Sequence, residues 1–257
     1  MKGLIINFLI IILLLTAACG QQSSNKEKPG VRLSPDTLKV AEAAMQQFID
    51  SGSYAGILVR TLTSNSVLHK ASFGYADIER QAPLNENHIF RIFSMTKPVV
   101  TAGLMTLYEE GKFTLDDPLA DYIPVFRNTL VYTPADNGFT LEEQLNPITI
   151  RHLLTHTAGF TYGWDNEHYV DSVYNATGVT TATEPLDIMI EKLAGIPLKY
   201  QPGTKWEYGL SIDVAGYLIE VLSGQQLDKF MQERIFEPLG MDDTGFGVPP
   251  EKHSRLT

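Results

Sequence analysis

Ser94 and Lys97, separated by Met95 and Thr96, place a hydroxyl and an amine one helical turn apart. Side chains at i and i+3 share a helix face, so these two can touch while the intervening pair points elsewhere. A serine hydroxyl is a weak nucleophile until a base takes its proton. Lysine becomes that base when burial or nearby positive charge holds it neutral. The chemistry suggested is nucleophilic attack on a carbonyl carbon. The same spacing also occurs on solvated helix surfaces, so the flanking residues decide its weight.

Phe90-Arg91-Ile92-Phe93 leads in as a strand-like run of aromatic and β-branched residues. After Ser94, the apolar Val99, Val100, Leu104, Met105 and Leu107 predict a buried helix, with Gly111 where a C-cap belongs. Pro98 is tolerated because the first turn needs no N–H partner there. Ser94 therefore lies at a helix N-terminus, where N–H groups and the positive dipole end can stabilise an oxyanion.

A second constellation is Trp206-Glu207-Tyr208-Gly209-Leu210-Ser211-Ile212-Asp213-Val214, which follows the turn residues Pro202-Gly203 and enters an apolar helix. Tyr208 then sits on a loop braced by a helix, where its phenol can face a cleft. A lysine cation favours tyrosinate, and either partner can pass the serine proton to a leaving group. The alternative is an amphipathic core tyrosine. His152 and His156 have the i, i+4 spacing of helical metal ligands. A zincin would need Glu where Leu153 stands, and no third ligand spacing accompanies the pair. They are expected to be structural, with no metal or organic cofactor. Asp116-Asp117 fits a helix-entry turn. Trp164 and the tyrosines around it line a cleft or plug the edge of a core.

Several elements must position these groups. A helix is predicted over Pro35–Ile49, with Ser34 as N-cap and Gly52 as its stop. Strands follow at Tyr54–Arg60 and Val67–Phe73 around Ser64-Asn65-Ser66, an antiparallel hairpin, and 74–87 is loop. A short helix is expected near Tyr122, and Thr129–Leu145 is an irregular polar excursion. Thr149 caps a helix through His156 that Gly159 stops, and a Gly, Thr and aromatic-rich stretch runs to Thr183. Further helices are expected at Glu184–Ala194, Ser211–Ser223 and from Gln226 to Phe236. There is no fixed-period repeat and no domain-splitting linker. Two strands followed by several helices indicate an α+β class.

The ends carry other signals. Lys2, an apolar run from Leu4 to Leu15 and Thr16-Ala17-Ala18-Cys19 make a secretory signal over residues 1–19. The run is about a dozen residues, short of the roughly 20 that span a bilayer. Cys19 is the only cysteine, which rules out an intrachain disulfide framework. Its place after small residues resembles the lipobox of bacterial lipoproteins, with Thr16 where Leu is usual, and implies lipidation of Cys19. The alternative is an ordinary cleaved signal with an incidental cysteine. Residues 20–34 form a polar tether, leaving 35–257 as the folded part. The expected location is the cell envelope, membrane-anchored through lipid. A net charge of −10 without a basic patch argues against nucleic acid. Nothing in the chain sets an oligomeric state, and 251–257 is neither a capped helix nor a completed strand.

From about Pro35 onward the chain resembles the serine β-lactamase-related hydrolases: class C β-lactamases, DD-peptidases and family VIII carboxylesterases. The resemblance runs in order through Phe90–Val99, Leu115-Asp116-Asp117-Pro118, His152–Phe160, Gln201-Pro202-Gly203 and Glu237-Pro238-Leu239-Gly240-Met241. It implies a β-lactamase/transpeptidase-like fold, an antiparallel sheet with flanking helices plus a helical region. It also implies Ser94 as acylated nucleophile, Lys97 as activating base and Tyr208 as partner base and acid. The substrate would be a small-molecule ester, a β-lactam or a peptide. Two departures matter. The lactamase and peptidase pattern at the tyrosine is Tyr-x-Asn, and Leu210 here offers no hydrogen bond to an amide. Ester hydrolysis is therefore favoured, with β-lactamase or DD-peptidase activity as the alternative. The family's third motif, Lys or His, then Ser or Thr, then Gly, does not follow Tyr208; His253-Ser254-Arg255 lacks the glycine. The resemblance thus implies an N-terminal part whose last strands are missing, inactive as this chain, or a truncated non-catalytic envelope lipoprotein.

Overall fold

The computed structural model describes residues 32–181 and 184–257. The secretory signal, Cys19 and most of the tether lie outside the described residues. The described chain divides into two compact units, one ending at His88 and one running Ile89–Thr257, although no linker composition marks that boundary.

In the first unit, Pro35 opens helix α1 (Pro35–Asp50), with Ser34 at the N-cap position but no side-chain cap bond. Strands β1 (Gly56–Leu62) and β2 (Val67–Asp77) pair antiparallel around the expected Ser64-Asn65-Ser66 turn. The segment expected as loop instead carries β2 on to Asp77 and returns as β3 (Ala82–Pro83), which pairs with β2. The order is β1-β2-β3. No residue of α1 is fully buried, and Val40 and Phe48 on its apolar pattern stay exposed. One helix and one small sheet offer too little apolar surface to enclose the helix face.

The second unit holds the core. Its first helix, α2 (Thr96–Glu109), is entered through a 3₁₀ turn at Phe93–Met95. The stretch expected to be irregular forms a hairpin, β4 (Val131–Ala135) with β5 (Gly138–Glu142). Asp136-Asn137 is its turn, and Gly138 at the start of β5 has φ +121°, which residues with a Cβ rarely adopt. Next come α3 (Ile150–Leu154) and α4 (Tyr169–Thr177), the latter inside the Gly, Thr and aromatic-rich stretch, where the sequence reading assigns no helix. They are followed by α5 (Leu186–Ala194), α6 (Ser211–Ser223) and α7 (Leu227–Met231), which runs on as a π turn through Phe236. The carboxy-terminal residues form a 3₁₀ turn over Pro250–Arg255, and Leu256 then bridges Ile89 in parallel. Val100, Leu104 and Leu107 of α2 and Val214, Leu218 and Ile219 of α6 share one buried cluster with Phe230 and Met231. Helices with antiparallel sheets make the expected α+β class. Among the described residues, no helix is long and apolar enough to cross a membrane.

Candidate active site

The 3₁₀ turn delivers Ser94 to the start of α2, and Lys97 follows within the first turn of that helix. Lys97 Nζ donates to Ser94 Oγ over 3.2 Å, the contact that i, i+3 spacing predicts. Phe93, immediately before the serine, has φ +44°. That left-handed conformation is costly for a residue with a Cβ. Phe93 is also 74 % exposed, so burial of its ring does not offset the cost.

Tyr208 reaches the same amine from the loop before α6, with Lys97 Nζ 4.9 Å from its ring centroid. Two features hold that loop. Gly209 lies against the chain at Phe160-Thr161, where an added Cβ would fall 2.5 Å from Phe160 O and 2.6 Å from Thr161 Cα. Glu207 is tied inward: its Oε1 accepts from Thr161 Oγ1 at 3.3 Å and from Lys199 Nζ at 3.2 Å. Lys199 and Asp171 are both buried, and their charges lie 2.8 Å apart. Thr161 Oγ1 also donates to Asp171 Oδ1 at 2.7 Å. The ion network thus pins the loop at Glu207 and close packing pins it at Gly209, on either side of the tyrosine.

Tyr162, which spacing alone did not single out, is the third wall. Lys97 Nζ lies 5.3 Å from its ring centroid, and the Tyr162 and Tyr208 rings are 5.5 Å apart. Desolvation pulls the pKa of Lys97 down, but hydrogen bonding to the Tyr162 and Tyr208 phenols outweighs it and leaves the net shift upward. The direction is opposite to that of a neutral lysine base: Lys97 stays cationic at neutral pH. Hydrogen bonding with Ser94 first, and then with Lys97, holds the Tyr208 phenol below its ordinary value. Tyr162 moves the other way because burial dominates. Asp213, in the first turn of α6, is pushed up by burial against the pull of Lys97.

The two histidines part company. Helix α3 stops at Leu154, so the i, i+4 face needed for joint ligation ends before His156, which takes φ +54°. His152 completes a capping box with Thr149. His156 packs its ring 5.0 Å from that of Tyr208 and is held neutral by burial and by Lys97. Among the described residues no group of three or more His, Cys, Asp or Glu could hold a metal. Asp117 bonds Thr114 and Tyr122, while Asp116 pairs with Arg151, so both aspartates fasten a turn. Leu210 is buried in the core.

The family model for beta-lactamase matches residues 41–257. Esterase EstB of Burkholderia gladioli is 33 % identical over 216 residues, covering 82 % of this chain and 52 % of the esterase. Among solved structures, EstCE1, described as a hydrolase with promiscuous acyltransferase activity, superposes with TM-score 0.73 at 30 % identity, covering 85 % of this chain and 55 % of that one. Simvastatin synthase from Aspergillus terreus gives TM-score 0.74 at 28 % identity, with 87 % and 57 % covered. The chain spans about half the length of the curated relatives it matches.

Proposed function

The chain belongs to the beta-lactamase family, and from that premise we propose that it is a serine hydrolase that cleaves esters through an acyl-enzyme on Ser94. The observation that carries this reading is the meeting of Ser94, Lys97 and Tyr208 around one ammonium group. The opposed pKa shifts divide the labour: Lys97 is the fixed cation and Tyr208 the base. Tyrosinate takes the Ser94 proton as Oγ attacks the carbonyl carbon. The tetrahedral intermediate collapses, the C–O bond breaks, and the Tyr208 phenol returns the proton to the departing alkoxide. Water then attacks the acyl-serine, Tyr208 takes its proton, and Ser94 recovers it as the acid leaves. The positive end of α2 faces the developing oxyanion.

Esters are favoured over β-lactams and peptides because buried Leu210 has no hydrogen bond to give an amide. The test is intact mass after exposure to a fluorophosphonate, beside Ser94→Ala. One adduct that vanishes in the variant supports the acyl-enzyme reading. An adduct that persists in the variant means another nucleophile and overturns the Ser94 assignment; none at all in a cooperatively folded chain overturns the hydrolase reading and favours a non-catalytic envelope protein. Faster turnover of nitrocefin than of simple esters would favour a β-lactamase. We also propose that Cys19 carries a lipid that anchors the protein at the cell envelope; retention of a fatty-acid label by Cys19→Ala would refute this.

A further inference from the structure

The chain has two tryptophans, Trp164 and Trp206. Trp164 is 72 % exposed and Trp206 65 % exposed. Indole is the largest apolar side chain, and leaving it in water forgoes a large burial gain. Neither ring plugs a core, yet both flank the same tyrosine. Trp206 stacks on Tyr208 with centroids 6.1 Å apart and planes 20° apart. Trp164 lies 5.8 Å from Tyr208 and stacks on Tyr162 at 5.1 Å and 21°. The four rings form one continuous aromatic surface beside the Lys97 ammonium. The loops that carry the two tryptophans are fixed by the Thr161–Asp171–Lys199–Glu207 network, so the surface is ordered before any ligand arrives.

From this arrangement we infer that Trp164 and Trp206 bind the flat aromatic ring of an aryl ester, seating its carbonyl at Ser94. An aromatic ring, unlike a saturated one, gains from parallel offset stacking beyond the area it buries. The proposal rests on the serine hydrolase reading for its chemistry, but its binding step is measurable without turnover.

With two tryptophans in the chain, their fluorescence reports directly on the surface. Phenyl acetate and methyl benzoate are titrated into Ser94→Ala protein and quenching is recorded, with cyclohexyl acetate and methyl cyclohexanecarboxylate as saturated counterparts. The aryl esters are expected to bind roughly three- to tenfold more tightly than the saturated ones, the range that ring pairing supplies. In Trp164→Leu or Trp206→Leu, each made on the Ser94→Ala background, that preference should fall towards one, with far-ultraviolet dichroism checking the fold. A preference for phenyl acetate alone puts the ring on the alcohol side, and for methyl benzoate alone on the acyl side. Equal binding of aryl and saturated esters, or a preference that survives both tryptophan changes, overturns the inference. Turnover retained by Ser94→Ala would sink the hydrolase reading instead and leave the quenching result standing.

Discussion

Lys199→Met isolates what the buried ion network contributes. In the wild-type chain the Lys199 ammonium faces Asp171 at 2.8 Å and Glu207 at 3.2 Å, with side-chain exposures of 6 % for Lys199, 1 % for Asp171 and 23 % for Glu207. Methionine keeps most of the volume but leaves the buried Asp171 carboxylate without its cation, with Thr161 still donating to it. Removing one member of a buried pair costs roughly 3–5 kcal/mol, mostly the penalty of the orphaned charge. For a chain of this size that is a fall in Tm of roughly 6–20 °C. The loss should depend on pH. Although burial pushes the Asp171 carboxyl up, Lys199 and Thr161 hold it below its ordinary value. Its stabilisation is therefore present above the unfolded carboxylate pKa and disappears as pH falls through the folded one. Without Lys199 the carboxyl rises, so the Lys199→Met variant regains relative stability towards pH 5. His168 adds a smaller part: its Nδ1 is 3.5 Å from Asp171 and its pKa is depressed by burial and by Lys199. Protonating that nitrogen would forfeit the cap it provides to Val170 N–H at 3.2 Å. Thermal unfolding at pH 7 and pH 5 of Lys199→Met and of Lys199→Met with Asp171→Asn is the assay. The double variant should recover most of the loss. If it is as unstable as the single one, or if the single one costs under about 1 kcal/mol, the orphaned-charge argument is wrong.

The pH dependence of fluorophosphonate labelling should have two limbs. Reactivity is gained as pH rises through the lowered Tyr208 pKa and lost as pH passes the raised Lys97 pKa. Tyr162→Phe removes a hydrogen bond that raises Lys97, so its alkaline limb moves to lower pH; Tyr208→Phe slows labelling by roughly 10²–10⁴-fold, and unchanged limbs in both would contradict the assignment. Gly209→Ala drives a methyl into the backbone of Phe160 and Thr161 and should cost about 1–3 kcal/mol in thermal stability together with labelling rate. A variant with wild-type Tm and rate would show that the close approach there is not required.

The part of this protein legible from its residues was local. The Ser94–Lys97 contact follows from helix geometry alone, and Pro98 and the apolar run after it fix where that helix begins. The hairpin of β1 and β2 and the helix Ser211–Ser223 also stand where their alternation and periodicity put them. The β4–β5 hairpin carried a signal in Asp136-Asn137-Gly138 that the polar composition around it obscured. Helix α4 had weaker cues, because Val170, Asp171 and Tyr174 are its buried residues and one of them is charged. Such a carboxylate reads as surface until its partner, Lys199, is known to lie beside it. Tyr162 and the two tryptophans belong to the same class. Side chains at 162, 164, 206 and 208 meet because the chain near Phe160-Thr161 lies against Gly209. Contacts one turn apart depend only on local geometry, so the Ser94–Lys97 pairing and the helix behind it could be read directly. Only the tertiary contacts could raise the pKa of Lys97 and lower that of Tyr208. Charge state depends on burial and on hydrogen-bond partners, and those partners come from segments more than sixty residues away in the chain.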